Sequence, residues 1–72
     1  MDDLPTTLWT LLRDGREVAC RARLVPYGIE IDLTSGGEAV VTRVFETGEE
    51  ALAWAEKKRA DREAQGWRTA DA

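Results

Sequence analysis

Reversal signals recur about every eleven residues through the first two thirds of the chain: Asp14-Gly15, Pro26-Tyr27-Gly28, Gly36-Gly37 and then Thr47-Gly48. That spacing leaves room for strands and none for a helix of ordinary length, so it predicts a row of short antiparallel strands. Asp-Gly suits a two-residue type I′ hairpin turn, because both positions need positive φ. In Val25-Pro26-Tyr27-Gly28, proline stands at the second turn position, where its fixed φ fits, and glycine stands at the exit. Strands are expected near 7–13, 16–25, 29–34 and 38–45.

Counting back from these turns gives a register. Across the first, Leu11 faces Val18, Trp9 faces Cys20 and Thr7 faces Ala22 on one side, while Leu12 faces Glu17, Thr10 faces Ala19 and Leu8 faces Arg21 on the other. Across the second, Leu24 meets Ile29, Ala22 meets Ile31 and Cys20 meets Leu33, all on the face already carrying Trp9, Leu11 and Val18. The opposite face then pairs Arg23 with Glu30 and Arg21 with Asp32, where opposite charges across a ladder contribute about 0.2–1 kcal/mol each. A two-residue reversal at Gly36-Gly37 sets Leu33 against Val40, Ile31 against Thr42, Ile29 against Val44 and Glu30 against Arg43. A three-residue loop would instead turn Arg43 inward.

Thr47-Gly48-Glu49-Glu50 has the form of a capping box, so a helix is expected near 48–65, with its stop at Gly66. Ala51, Leu52, Trp54 and Ala55 form an apolar stripe in its first turns, and Lys58, Arg59 and Arg62 extend that stripe with long cations able to snorkel. Trp67 is placed to fold back as a closing contact. The fold class is therefore α+β: a four-stranded antiparallel meander followed by one C-terminal helix, ββββα, in a single small domain spanning 1–72 with loose ends at 1–5 and 68–72.

Seventy-two residues, of which 15 are Leu, Ile, Val or Phe, make a thin core, so association with a second copy is expected. One cysteine and no histidine exclude an internal disulfide and leave no set of ligands for structural zinc. No apolar run approaches the ~20 residues that span a bilayer, and the start, Met1-Asp2-Asp3, is acidic where a secretory signal is basic. A soluble cytoplasmic protein is expected. A net charge of −4 repels phosphate backbones and membrane surfaces on average.

Few side chains here suit catalysis. Glu30 and Asp32 share a strand face, but each has an arginine across from it, which reads as pairing rather than acid–base work. Cys20 falls on the inner face, where free cysteine behaves as a small hydrophobe. Gly36-Gly37 lacks the lysine and the following helix of a phosphate cradle and reads as a turn. Lys57-Lys58-Arg59 is interleaved with Glu56, Asp61 and Glu63 at helical spacing, which reads as a solvated helix face. No enzyme activity, cofactor or metal is expected.

The outer sheet face is the informative one. One helix covers one face only, yet the other is half apolar, and it holds the candidate contact residues Leu8, Leu12, Arg21, Arg23, Val41, Arg43 and Phe45. Apolar surface with self-complementary charge suits a two-fold contact between copies. The same arginines, with Phe45 or Tyr27 for stacking, suit single-stranded nucleic acid. A simple solvated surface remains the third reading. The expected function is a non-catalytic, homodimeric interaction module, joined through this face or the helix, with a single-stranded DNA- or RNA-binding regulator as the alternative.

In topology, four meander strands followed by a covering helix resemble the single-stranded nucleic-acid-binding regulators of the Whirly, PUR-repeat and positive-cofactor-four type. That resemblance implies a dimer binding strands on its sheet surface, with Arg21, Arg23 and Arg43 as the matching positions. Thr47-Gly48-Glu49-Glu50-Ala51-Leu52 resembles the strand-to-helix junction of HicB-type antitoxins. The Trp near the start, the central Pro-Tyr-Gly and the Glu-Glu-Ala-Leu before the helix resemble short uncharacterised bacterial ββββα proteins, which implies the same fold and no activity.

Overall fold

The structure, a computed structural model, describes residues 5–69. Strands β1 (Thr6–Arg13), β2 (Arg16–Val25), β3 (Gly28–Ser35) and β4 (Glu38–Phe45) form an antiparallel meander, followed by helix α1 (Gly48–Ala64) and a two-residue strand β5 (Arg68–Thr69). The sheet order is β4-β3-β2-β1-β5. The α+β class and the strand–strand–strand–strand–helix order expected from the turn spacing are present. The fifth strand is an addition: Arg68 and Thr69 pair with Leu12 and Leu11 on the free side of β1. Of the ends expected to be loose, 1–5 and 68–72, residues 1–4 and 70–72 lie outside the described residues, while Arg68 and Thr69 are held in β5.

The turns do what their residues allow. Asp14 and Gly15 both take positive φ, as do Gly36 and Gly37. Gly28 is needed for space: a Cβ there would collide with the backbone carbonyl of Phe45, where the start of β3 lies against the end of β4.

The β2–β3 register is the predicted one throughout, including Arg23 opposite Glu30 and Arg21 opposite Asp32. The other two ladders each carry a bulge. In β1 the pairs Trp9–Cys20, Leu11–Val18 and Leu12–Glu17 stand as expected, but Thr7 lies opposite Arg21 rather than Ala22, because Leu8 drops out of the ladder. Leu8 packs against the core instead of facing Arg21 on the outer side. In β4 the turn is the predicted one, closed by Ser35–Glu38 and Thr34–Ala39, but the register then shifts. Leu33 faces Val41, Ile31 faces Arg43, Ile29 faces Phe45 and Glu30 faces Val44. The expected partners Val40, Thr42, Val44 and Arg43 are each displaced by one, with Val40 as the extra residue.

The core lies between one sheet face and α1. Trp9, Leu11, Val18, Cys20, Ile31 and Leu33 pack against Ala51 and Ala55. These two alanines let the helix backbone approach the sheet closely, and the indole Nε1–H of Trp9 donates to the Ala55 carbonyl at 3.1 Å. Leu24, expected in this core, is 74% exposed: it has the right parity but lies near the far end of β2, away from the helix. At the helix start, the Thr47 hydroxyl accepts from the Glu50 amide at 3.1 Å, which is the threonine half of the predicted box. At its end Gly66 has φ +100 and the Trp67 amide donates to the Arg62 carbonyl. This turns Trp67 back onto the core, as its position after Gly66 suggests.

Candidate interaction surface

The β4 bulge redistributes the candidate residues. Arg43 lies opposite Ile31, a core residue, so Val41, Arg43 and Phe45 belong to the helix side of the sheet and not to the outer face. Leu8 leaves the outer face through the β1 bulge. Of the seven, Leu12, Arg21 and Arg23 remain outside. The physical reason is burial. The shift places Phe45 beside Trp54, with ring centroids 5.6 Å apart, where an unshifted register would hold it away from the helix. Arg43 follows because side chains alternate, and a flexible cation at the sheet margin tolerates the placement.

What remains outside is more polar than the half-apolar face expected. Arg23 binds Glu30, with its Nε donating to Oε1 at 2.6 Å. Arg21 and Asp32 are opposite in the ladder, but the Asp32 carboxylate accepts from the Thr42 hydroxyl at 2.7 Å, and Arg21 Nε is buried without a hydrogen-bond partner. Thr34 is buried, its hydroxyl donating to the Ala19 carbonyl at 3.5 Å. Leu12 and Val44 are large apolar side chains exposed on this side.

On the helix side, Arg43 lies 5.7 Å from the ring centres of both Phe45 and Trp54, and Lys58 lies 5.4 Å from that of Trp54. Each exposed contact of this kind is worth about 0.5–1 kcal/mol. Among the described residues, no carboxylate stands within ion-pair distance of Arg43 or Lys58. Trp54 and Lys58 are four apart, so their contact was readable from helical spacing. The entry of Arg43 was not, because it depends on the bulge.

The sheet edges differ. β5 covers part of the free side of β1, whereas β4 ends the sheet and, among the described residues, no strand pairs with its outer side. Val40, Val41 and Val44 on that strand are 58%, 40% and 42% exposed.

The groups that could do chemistry are engaged elsewhere. Burial pushes the Cys20 thiol up to about 11, with Asp32 nearby adding to the shift, so it is protonated at neutral pH. On α1, Arg59 bridges Glu56 and Glu63, the latter at 2.7 Å, and its hydrogen bond to Glu56 holds that carboxyl below its usual range. Among the described residues, no three His, Cys, Asp or Glu side chains gather in a metal-binding group. No described helix is long and apolar enough to cross a membrane. Compared with protein-family models, curated proteins and solved structures, the chain matches none.

Proposed function

We propose that this chain is a non-catalytic interaction module that works as a homodimer in the cytoplasm. The observation that carries the reading is the asymmetry of the sheet edges: at one, β5 pairs with Leu11 and Leu12 of β1, while the other, β4, has no strand on its outer side among the described residues and exposes valines at 40, 41 and 44. A thin core adds to this, since a chain of this size gains stability when a partner covers apolar surface. The thiol held protonated and the carboxylates of Glu30 and Asp32 held by Arg23 and Thr42 favour binding over acid–base chemistry. Light scattering on the full chain at micromolar concentration is expected to give twice the mass of one chain. A monomer that unfolds cooperatively across that range contradicts the reading.

A second reading, binding of single-stranded nucleic acid, is favoured by the aromatic pair Phe45–Trp54 flanked by Arg43 and Lys58. It differs from the sequence expectation, because Arg21 and Arg23 lie on the opposite face from Arg43. The net charge of −4 opposes it. Titration of a labelled single strand in about 50 mM salt discriminates, since counterion release makes such binding strongest at low salt. Saturable binding lost in Arg43→Ala and Lys58→Ala would place this reading first.

A further inference from the structure

We infer that β4 pairs with β4 of a second copy, antiparallel about a two-fold axis at Val41, joining two five-stranded sheets into one. The inference rests on the homodimer reading and names its interface.

In an antiparallel pair related by a two-fold axis perpendicular to the sheet, one residue lies opposite its own copy, and residues at equal steps either side of it face each other. Which residues meet depends on which share a face. In β4, Val41 and Arg43 are on the helix side, opposite Leu33 and Ile31. Glu38 is also on that side, because its partner Ser35 also pairs with Val18 of the core. Simple alternation would put 38 and 41 on opposite faces, but the extra residue at Val40 restores them to the same one. Along the helix-side face the ladder positions of β4 therefore run Glu38, Val41, Arg43. With Val41 on the axis, Arg43 of each copy stands across from Glu38 of the other, giving two equivalent ion pairs around a valine contact.

Two observations support this arrangement. Neither Arg43 nor Glu38 has an ion-pair partner among the described residues of its own chain. The strand is rich in β-branched residues, with Val40, Val41, Thr42 and Val44 all exposed, which suits a second strand alongside. A bulge and a charge on an edge ordinarily deter pairing. Here the bulge brings the two opposite charges into phase, so they select one partner, this same strand, in one register.

The test is a charge exchange on the full chain, read by sedimentation velocity, with circular dichroism to establish that each variant is folded. Arg43→Glu places two carboxylates together at each end of the interface, and Glu38→Arg places two cations there. Each variant alone is expected to dimerise roughly tenfold more weakly than the unaltered chain. Mixed one to one, they restore both pairs, and a heterodimer of near-original affinity is expected. A dimer whose affinity is unchanged in both variants and in the mixture overturns the β4 interface but leaves the homodimer reading standing. A monomer under all conditions overturns both. Should either charge variant fail to fold, Val41→Cys provides the second measurement. Side chains directly opposite across a two-fold can form a disulfide under mild oxidation, while Cys20 is buried and cannot compete. Rapid cross-linking of Val41→Cys with none in Leu12→Cys is expected, and equal cross-linking of the two overturns the proposal.

Discussion

The β2–β3 and β3–β4 hairpins are closed by turns of the same length, between Val25 and Gly28 and between Ser35 and Glu38. Only the first keeps one register from end to end. Between β2 and β3 the residues Cys20, Ile31 and Leu33 are buried, so slipping by one would turn a core face to water and leave Arg23 without Glu30 opposite. Between β3 and β4 only the β3 side of the ladder is buried, and every β4 residue from Glu38 to Val44 is exposed. An extra residue there costs little, and the burial gained by Phe45 against Trp54 decides the register. Turn chemistry sets where a hairpin starts, and burial decides whether it keeps count.

The difference between the two regions can be broken most sharply by truncation. Leu11→Ala, in the fully buried core, is expected to cost about 2–5 kcal/mol, whereas Val41→Ala, at 40% exposure on the edge, should cost less than about 1 kcal/mol in the monomer. Urea melts of both variants measure the contrast, and equal losses would mean that β4 is as buried as β1. Gly28→Ala comes next, at about 2–4 kcal/mol, because the new Cβ meets the Phe45 carbonyl and forces the ends of β3 and β4 apart. Gly15→Ala, whose Cβ meets nothing, loses only what its positive φ costs, so it is the milder change of the two.

Cys20 separates the regions by pH. Its folded pKa, about 11, lies above the ordinary value of 9.0. The unfolded chain therefore releases the thiol proton first, and the stability this site contributes is full below pH 9 and lost as pH rises to about 11. Cys20→Ala is expected to lose less stability than the unaltered chain over that interval, with the difference read from melts at pH 8 and pH 11. The smallest effect belongs to the outer face. Arg23→Glu and Glu30→Arg should each cost on the order of 1 kcal/mol or less, since the pair is partly exposed. The double reversal should recover part of that loss, and because Val44 rather than Arg43 lies beside Glu30, Arg43 does not oppose the rescue. Absence of coupling would place Arg23 and Glu30 apart.

Most of the fold is legible in the residues alone. Asp14-Gly15 and Gly36-Gly37 named their turns, Thr47 named the helix start, and the agreement of Leu24–Ile29 parity with Arg23–Glu30 charge located β3 against β2. The candidate surface was less legible, for one reason repeated twice. A bulge has no turn-like signature in the residues that form it. Leu8 and Val40 look like ordinary strand positions, and only the packing of Leu8 on the core and of Phe45 on Trp54 shows why the ladder skips them. One such skip moved Val41, Arg43 and Phe45 across the sheet. The fifth strand was hidden for a related reason: Arg68-Thr69 is too short to show alternation and pairs only because Gly66 and Trp67 turn the chain back toward β1.

The β4–β4 pairing and the single-strand reading both depend on which way Arg43 faces, and that is decided by the β3–β4 register. Cross-strand proton contacts in solution NMR read it directly. Contacts of Leu33 with Val41 and of Ile31 with Arg43, together with ring-current shifts of the Arg43 side chain from Trp54, are expected. Contacts of Leu33 with Val40 and of Ile31 with Thr42 would contradict the bulge, return Arg43 to the outer face, and remove the alignment of Glu38 with Arg43 on which the paired edge is built.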